Sequence, residues 1–571
     1  MKTAPRTWLA TTLLAATVLV GACSDDDNGT NPPDTPPTPA NVQAPTVTET
    51  SVSLTWNAVT GADSYVVQRE VAAAPAVADA SLNVTRVYET VGTPATNAFT
   101  DETVAPETTY NYRVATVIDG EQGQYSTPVQ VTTGEAGPKV ATINADITAN
   151  RTLYADTTYT ISGFVHVANG ATLTIQPGTL IVGDYDVVGS SLFVLRGAKI
   201  DAQGTALAPI VFTSERAAGQ RQAGDWGGLI IVGNGIVNRA SPVILEGSGT
   251  NAQNYEINYA GGADNADDSG TLRYVRIEFA GYGPAQDQEL NGLTMAAVGS
   301  GTELEYVQVL NGLDDSFEWF GGAVDGRYLV SYESGDDHFD MSEGYVGRLQ
   351  HLIAFQSKVV TPRAGAGNVS NDPQGIENDG CAGANCTNSQ ASTPLTQPLV
   401  ANFTLVGAPA GTFAANSGGY GMVLRRGTAG YYVNGLVARF EKAAFSLRDT
   451  STANRIANGQ LVLSNVVTAE TPAQFHAGQN GGTFDPGTYN LTASILSGAG
   501  NFELLPTNPA NAGQFDWTPS ATSEARTGGL SPFTGDILTK AGAFVSATTY
   551  RGAVDPNGPK WFEGWLNYAD N

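Results

Sequence analysis

Glu305-Tyr-Val-Gln-Val-Leu-Asn-Gly-Leu-Asp-Asp-Ser-Phe-Glu-Trp-Phe-Gly-Gly-Ala-Val-Asp-Gly-Arg-Tyr-Leu-Val-Ser331 is the stretch that decides the fold. Two short β runs with apolar residues at alternate positions are separated by Gly, Asn and Asp, and then the first run returns. Tyr306 and Tyr328 are 22 residues apart. The same kind of run recurs outward in both directions, at Pro209-Ile-Val-Phe-Thr, Gly228-Leu-Ile-Ile-Val, Arg273-Tyr-Val-Arg-Ile and Leu349-Gln-His-Leu-Ile. No helical period accompanies it. A repeat of about 20 residues with several strands cannot bury its own apolar face, so repeats must stack into a coiled β-solenoid. A β-propeller would need a repeat roughly twice as long. Residues 138–571 therefore read as a parallel β-helix. Its final aromatics, Trp561 and Trp565, are expected to cover the open strand edge of the last rung.

Three stretches of this region carry a family resemblance: Gly224-Asp-Trp-Gly-Gly-Leu-Ile-Ile-Val-Gly-Asn, Gly270-Thr-Leu-Arg-Tyr-Val-Arg-Ile-Glu-Phe-Ala-Gly and Asp314-Asp-Ser-Phe-Glu-Trp-Phe-Gly-Gly. They resemble the right-handed, pectin-lyase-like β-helices of bacterial surface lipoproteins. The resemblance implies the fold more than an activity.

Residues 40–134 differ in kind. Val52-Ser-Leu-Thr-Trp56, Tyr65-Val-Val67 and Tyr110-Asn-Tyr-Arg-Val114 alternate with period two between Gly, Pro and Asn breaks, the signal of a β-sandwich. The segment resembles a fibronectin type III domain. Trp56 matches that family's core tryptophan, and Pro106-Glu-Thr-Thr-Tyr110 its tyrosine corner. The resemblance implies a spacer or binding module. The whole chain is thus expected to be all-β.

The N-terminus bears on location. Lys2 and Arg6 precede an apolar run from Trp8 to Ala22, too short to span a bilayer comfortably and suited to a secretory signal. Val20-Gly-Ala-Cys23 resembles the lipobox of bacterial lipoproteins, which implies cleavage before Cys23 and its acylation. Residues 1–23 are then a signal peptide, and residues 24–39, polar and Pro-rich, a tether. The expected location is a bacterial membrane, held through lipid alone, on the outer membrane or cell surface. The two other cysteines, Cys381 and Cys386, would pair as a disulfide in an exported protein. A metal site is the alternative, weakened by the lack of clustered histidine.

The 571 residues carry Lys+Arg 28 against Asp+Glu 55, a net charge of −27. That sign disfavours nucleic acid and anionic membrane surfaces as partners. Hydrophobic residues at 41% can bury a core, and 66 Gly with 29 Pro is turn-rich without being disordered. Only four histidines are present, no Ser-His-Asp spacing stands out, and no glycine-rich loop follows a strand to open a helix.

The acids are patterned. Six segments align by apolar positions: Leu293-Thr-Met-Ala, Phe317-Glu-Trp-Phe, Phe339-Asp-Met-Ser, Ile376-Glu-Asn-Asp, Met422-Val-Leu-Arg and Phe445-Ser-Leu-Arg. First and third positions should face inward, second and fourth outward. Three successive rungs then present Glu318, Asp340 and Glu377 on one face, with Asp379 at a fourth position. Asp314-Asp315 and Asp336-Asp337 precede two of the strands at identical offsets. Rungs are about 4.8 Å apart, so stacked carboxylates repel. Arg425 and Arg448 lie one or more rungs away.

Three readings follow. One is glycan chemistry, as a glycoside hydrolase or lyase with Glu318, Asp340 and Glu377 as candidate catalytic groups. One-rung neighbours fit the roughly 5 Å carboxylate spacing of retaining hydrolases. The Gly-His-Gly and Arg-x-Lys signatures of the β-helical polygalacturonases are absent, and no basic residue adjoins the acids in sequence, as a lyase would want. The second is a non-catalytic surface that binds a polysaccharide or another extracellular ligand, aided by Ca²⁺ held among Asp314, Asp315, Asp336, Asp337, Glu318, Asp340, Glu377 and Asp379. The third is turn chemistry alone, in a structural or adhesive surface protein. The insertion around 359–398, which holds the disulfide pair, is placed to rim this face.

Overall fold

The computed structural model describes residues 35–569, apart from 73–85, 135–139, 284–287, 382, 409, 414–416, 477–485, 490–494 and 499–514. Cys23 and the signal segment lie outside the described residues. The chain divides into two compact units, Met1–Gly137 and Pro138–Asn571.

In the first unit, alternation does the building. Gln43–Val47, Val52–Thr55 and Ala98–Asp101 form one antiparallel sheet, and Arg86–Gly92, Ser64–Ala72, Thr109–Ile118 and Glu121–Gln122 a second, with Val129–Thr132 also on Thr109–Ile118. The inward residues meet between them: Trp56 is 3% exposed, its ring 5.1 Å from that of Tyr65 in an edge contact. Ala105 N–H donates to the Tyr110 hydroxyl at 2.8 Å, the tyrosine corner expected from the sequence. The tether does not stay free to its end. Pro36 and Pro39 are buried, and Thr116 Oγ1 donates to the Pro37 carbonyl at 2.7 Å. Proline has no N–H to satisfy and little entropy to lose, which makes docking it inexpensive.

The second unit is a parallel β-helix. Two long sheets run its length, one of 17 and one of nine strands among the described residues. The nine-stranded sheet runs from Phe164–Val167 to Ala443–Leu447, every pairing parallel. The core between the sheets is continuous, from Ile143 through Phe317 and Phe339 to Leu463.

One corner shows how a rung turns. Glu305 pairs with Arg327 and Val307 with Leu329, while Tyr306 and Tyr328 between them have φ of 54° and 62°. Tyr274 and His351 take the same conformation on flanking rungs, and Asn402, Asn434 and Asn465 on later ones. Asparagine tolerates the left-handed region, whereas tyrosine is strained there. Ring stacking offsets that cost: Tyr274, Tyr306, Tyr328 and His351 form a column with centroid spacings of 4.3, 4.4 and 5.0 Å.

One expectation is corrected. Trp561 and Trp565 do not cover the last rung. Trp565 packs edge-on to Tyr274 and Tyr306, and Trp561 against Tyr328, on the flank of the helix. Asn567 continues the contact, its N–H donating to Gln308 Oε1 at 2.8 Å. The half-buried ring column is an apolar stripe, and the C-terminal segment covers it. Helix is also present, at Thr450–Ala457 and Gly535–Ala541. Asp449 caps the first by accepting from Thr452 N–H at 2.8 Å. Two turns are too short to display a helical period in sequence. None of the described helices is long and apolar enough to cross a membrane.

Candidate functional site

The alignment of the six segments is the register of the nine-stranded sheet. Leu293, Phe317, Phe339, Ile376, Met422 and Phe445 are successive partners, as are Thr294, Glu318, Asp340, Glu377, Val423 and Ser446. The first column is core, with Phe317 and Phe339 rings 5.2 Å apart. The second column faces away from it, but not onto open surface. Glu318 and Glu377 are only 6% and 5% exposed. Loops close over them, making a trench of about 1150 Å³.

The trench gathers Asp314, Asp315, Glu318, Asp336, Asp337, Asp340 and Glu377, seven of the eight predicted acids. Asp379 lies at its edge through Arg425. Three carboxylates that sequence reasoning missed join them: Glu246, Glu289 and Asp372. Asp372 stands in the insertion predicted to rim the face. Glu246 and Glu289 stand in loops, where no period exists to align them.

Each corner has a division of labour. Asp337 N–H donates to Asp315 Oδ1 at 2.8 Å, and Gln374 N–H donates to Asp337 Oδ1 at 2.5 Å. The second aspartate of each pair thus fastens the next rung, where the turn reading expected bonds to local backbone. Gly335 makes that close stacking feasible, since a Cβ there would meet the Leu313 carbonyl oxygen at 1.8 Å. The remaining acids are not used up in this way. Asp336 Oδ1 and Asp340 Oδ1 are buried atoms without a hydrogen-bond partner.

Three sets of carboxylate oxygens converge, each within 4.8 Å: Asp314, Asp315 and Asp336; Asp315, Glu318 and Asp340; Asp337, Asp340 and Glu377. Asp315 and Asp340 each belong to two sets. Burial raises the affinity of these groups for protons, and their neighbours add to it. Asp314, Asp315, Glu318, Asp337, Asp340 and Glu377 are held well above the usual carboxylate range. Asp336 is pushed up to about 7, by burial first, with Asp372 and Glu289 adding charge. An all-oxygen set of this density, with orphaned oxygens, has the donor chemistry of a calcium site.

Positive charge enters at one end. Arg425 pairs with Glu377, with Asp379 at 2.7 Å and with Asp372 at 3.8 Å. Arg426 Nη1 reaches Asp379 at 2.5 Å. No base adjoins the acids along the chain, but the aligned segments put Arg425 one rung from Asp379. The fold puts Arg425, 48 residues after Glu377, against that carboxylate because their strands are adjacent rungs.

The histidines stand apart from the trench chemistry. His338 turns inward, its Nδ1 paired with Ser331 Oγ at 2.5 Å, and burial pushes it down to about 3. His351 belongs to the ring column.

Cys381 and Cys386 are disulfide-bonded, with Cα atoms 6.0 Å apart. The loop they close is pinned to a second insertion: Arg239 Nε donates to the Ala384 carbonyl at 3.0 Å, and Ala240 N–H to that of Asn385 at 2.7 Å.

No curated protein matches the chain. Among solved structures, the chain is similar to a human FNIII domain, at 22% identity over 20% of this chain and 92% of that one, TM-score 0.16. It is also similar to a Fn3-like protein from Clostridium thermocellum, at 27% identity over 18% of this chain and 98% of that one, TM-score 0.14. A family model described as a pectate-lyase like beta helix domain matches residues 145–518. With stacked parallel rungs already evident, and the match spanning most of the solenoid, the chain belongs to the pectate-lyase-like β-helix domain family.

Proposed function

We propose that the chain binds carbohydrate along the acidic trench, with Ca²⁺ held among its carboxylates. The observation that carries this is the overlap of three oxygen clusters within one cavity, with Asp336 Oδ1 and Asp340 Oδ1 left without partners. A buried carboxylate without compensation is costly, and bound cations would offset that cost across several rungs. The cations would then present vacant coordination positions to the oxygens of a saccharide. Family membership supports a carbohydrate-related role. In this reading Cys23 carries lipid, the chain sits on the outer membrane or cell surface of a bacterium, and the sandwich is a spacer.

A second reading, degradation of a polysaccharide, is favoured by Arg425. A guanidinium beside Glu377 and Asp379 is what an elimination would use near its acids, and Glu318 and Asp340 have oxygens within 4.8 Å for a retaining hydrolysis.

The test incubates the full chain with acidic and neutral polysaccharides, with and without Ca²⁺, and follows products and retained complexes by chromatography. Calcium-dependent retention without products supports binding. Oligosaccharides that vanish in the Glu318→Gln, Asp340→Asn variant establish the enzyme instead. Neither retention nor products would leave the acids as rung architecture of an adhesive or structural protein, and cell-attachment assays would decide that.

A further inference from the structure

The face that holds the acids changes sign one rung further on. Arg448 follows Leu447, the register partner of Leu424, and its N–H donates to the Leu424 carbonyl at 2.9 Å. It therefore lies one rung beyond Arg425. The two arginines are compensated unequally. Arg425 has Glu377, Asp379 and Asp372. Among the described residues Arg448, 5% exposed, has a share of Asp372, at 3.3 Å through Nη1, and Ser446 Oγ at 3.3 Å through Nε. Its Nη2 is buried with no hydrogen-bond partner. An unsatisfied guanidinium donor in that setting is an expensive group to keep.

Other donors border the same ring. Tyr420, 1% exposed, is the common neighbour. The Arg448 guanidinium lies 5.6 Å from its ring centroid, Lys442 Nζ also 5.6 Å, and the His476 ring 5.1 Å in an edge contact. His476 Nδ1 is a second buried nitrogen without a partner. Burial lowers the affinity of His476 for protons, and the charges of Arg448 and Lys442 lower it further. A neutral imidazole still donates one N–H. Burial and the charge of Arg448 lower the affinity of Lys442 for protons, while Asp372 and Glu441 act the other way, Glu441 also accepting from Gly411 N–H at 3.0 Å and Phe413 N–H at 2.7 Å.

We propose that Arg448, Lys442 and His476 form an oxyanion-binding subsite around Tyr420, which takes a carboxylate or sulfate group. Two cations, one at each end of the strand Ala443–Leu447, and a histidine N–H suit a group with several acceptor oxygens. The subsite goes beyond the calcium-assisted trench. It takes the opposite charge and needs no metal.

The test is calorimetry and thermal unfolding of the full chain in EDTA. The probes are inorganic sulfate, glucuronate and a sulfated monosaccharide, with chloride at equal ionic strength as the baseline. One oxyanion is expected to bind in a one-to-one ratio and to raise the unfolding temperature above that baseline. Binding of inorganic sulfate identifies a free-anion site. Binding of the saccharides alone identifies a site for their charged substituent. Both outcomes support the subsite. Arg448→Gln should weaken binding by about tenfold or more. The Lys442→Gln, His476→Gln double variant, in which both residues are partly exposed and the fold is least at risk, should do the same. No binding of any probe at millimolar concentration overturns the proposal, and so does wild-type affinity in the double variant. Either failure leaves the trench reading untouched, since calcium is absent throughout.

Discussion

Asp340 stands directly beside Glu318 in the strand register, and with Asp315 their oxygens lie within 4.8 Å of one another. Neither acid has a basic residue beside it in sequence. The relationship is created by a 22-residue repeat laid down rung on rung. It is the most direct link in this chain between periodicity and chemistry.

Arg425 is the trench's internal counter-charge. Removing it would take the arginine from buried Glu377 and leave Asp379 to Arg426, and breaking a buried pair costs about 3–5 kcal/mol elsewhere. Arg425→Ala is therefore expected to lower the β-helix unfolding transition sharply, by calorimetry, whereas Arg425→Lys should retain part of the loss. Calcium should rescue neither variant fully, because the guanidinium also holds Asp379 through Nε.

Glu333 makes a pH prediction. Its carboxyl accepts from Ser357 N–H at 3.0 Å, yet burial pushes it up to about 7 from an ordinary 4.5. A carboxylate with a raised folded pKa binds more protons folded than unfolded, so its contribution falls as pH rises between those two values. For a shift of this size the change is about 3 kcal/mol between pH 4.5 and 7. Glu333→Gln should flatten that part of the stability profile, measured by denaturant unfolding at each pH. An unchanged slope would assign the pH dependence to the trench acids.

What was legible follows from what repeats. Phe317, Phe339 and Ile376 could be aligned because core positions recur at fixed spacing, and their outward neighbours came with them. Asp372, Glu246 and Glu289 were not equally legible, because each sits in a loop whose course no period constrains. The burial of Glu318 was missed for the same reason. Alternation says which way a side chain faces, not whether an insertion folds over it. The alignment put Arg425 one rung beyond Asp379, but its contact with Glu377 runs diagonally across the register and does not follow from the alignment. Trp561 was placed on the wrong surface because the ring column it covers, Tyr274 to His351, depends on left-handed corners that tyrosine seldom adopts.

The tyrosine corner offers a local test in the first unit. Tyr110→Phe removes one hydrogen bond, from Ala105 N–H, and nothing else. The expected cost is about 1 kcal/mol. It should appear in the sandwich transition alone, with the β-helix transition unmoved in the same calorimetric scan.

The disulfide closes a loop with a sequence separation of five. Chain entropy for so short a loop is worth about 2 kcal/mol. The Cys381→Ser, Cys386→Ser variant is expected to lose that locally. The loop bonds Arg239 and Ala240 through Ala384 and Asn385, so limited proteolysis should then cut near residues 238–242 before any other site.

The sharpest discriminator for the trench is the sharing of ligands. Asp340 contributes to two of the three oxygen clusters, with Glu318 and Asp315 on one side and with Asp337 and Glu377 on the other. Glu377 belongs to one, and its charge is already met by Arg425. If cations occupy the clusters, Asp340→Asn should weaken calcium binding at two positions, and Glu377→Gln at one. Titration calorimetry in chelator-stripped buffer would show a lower stoichiometry for Asp340→Asn than for Glu377→Gln. If the acids only shape turns, neither variant would change calcium uptake, because Asp315 and Asp337, rather than Asp340, make the bonds to the next rung. The two substitutions thus separate a row of cations from a row of turns without any knowledge of the saccharide.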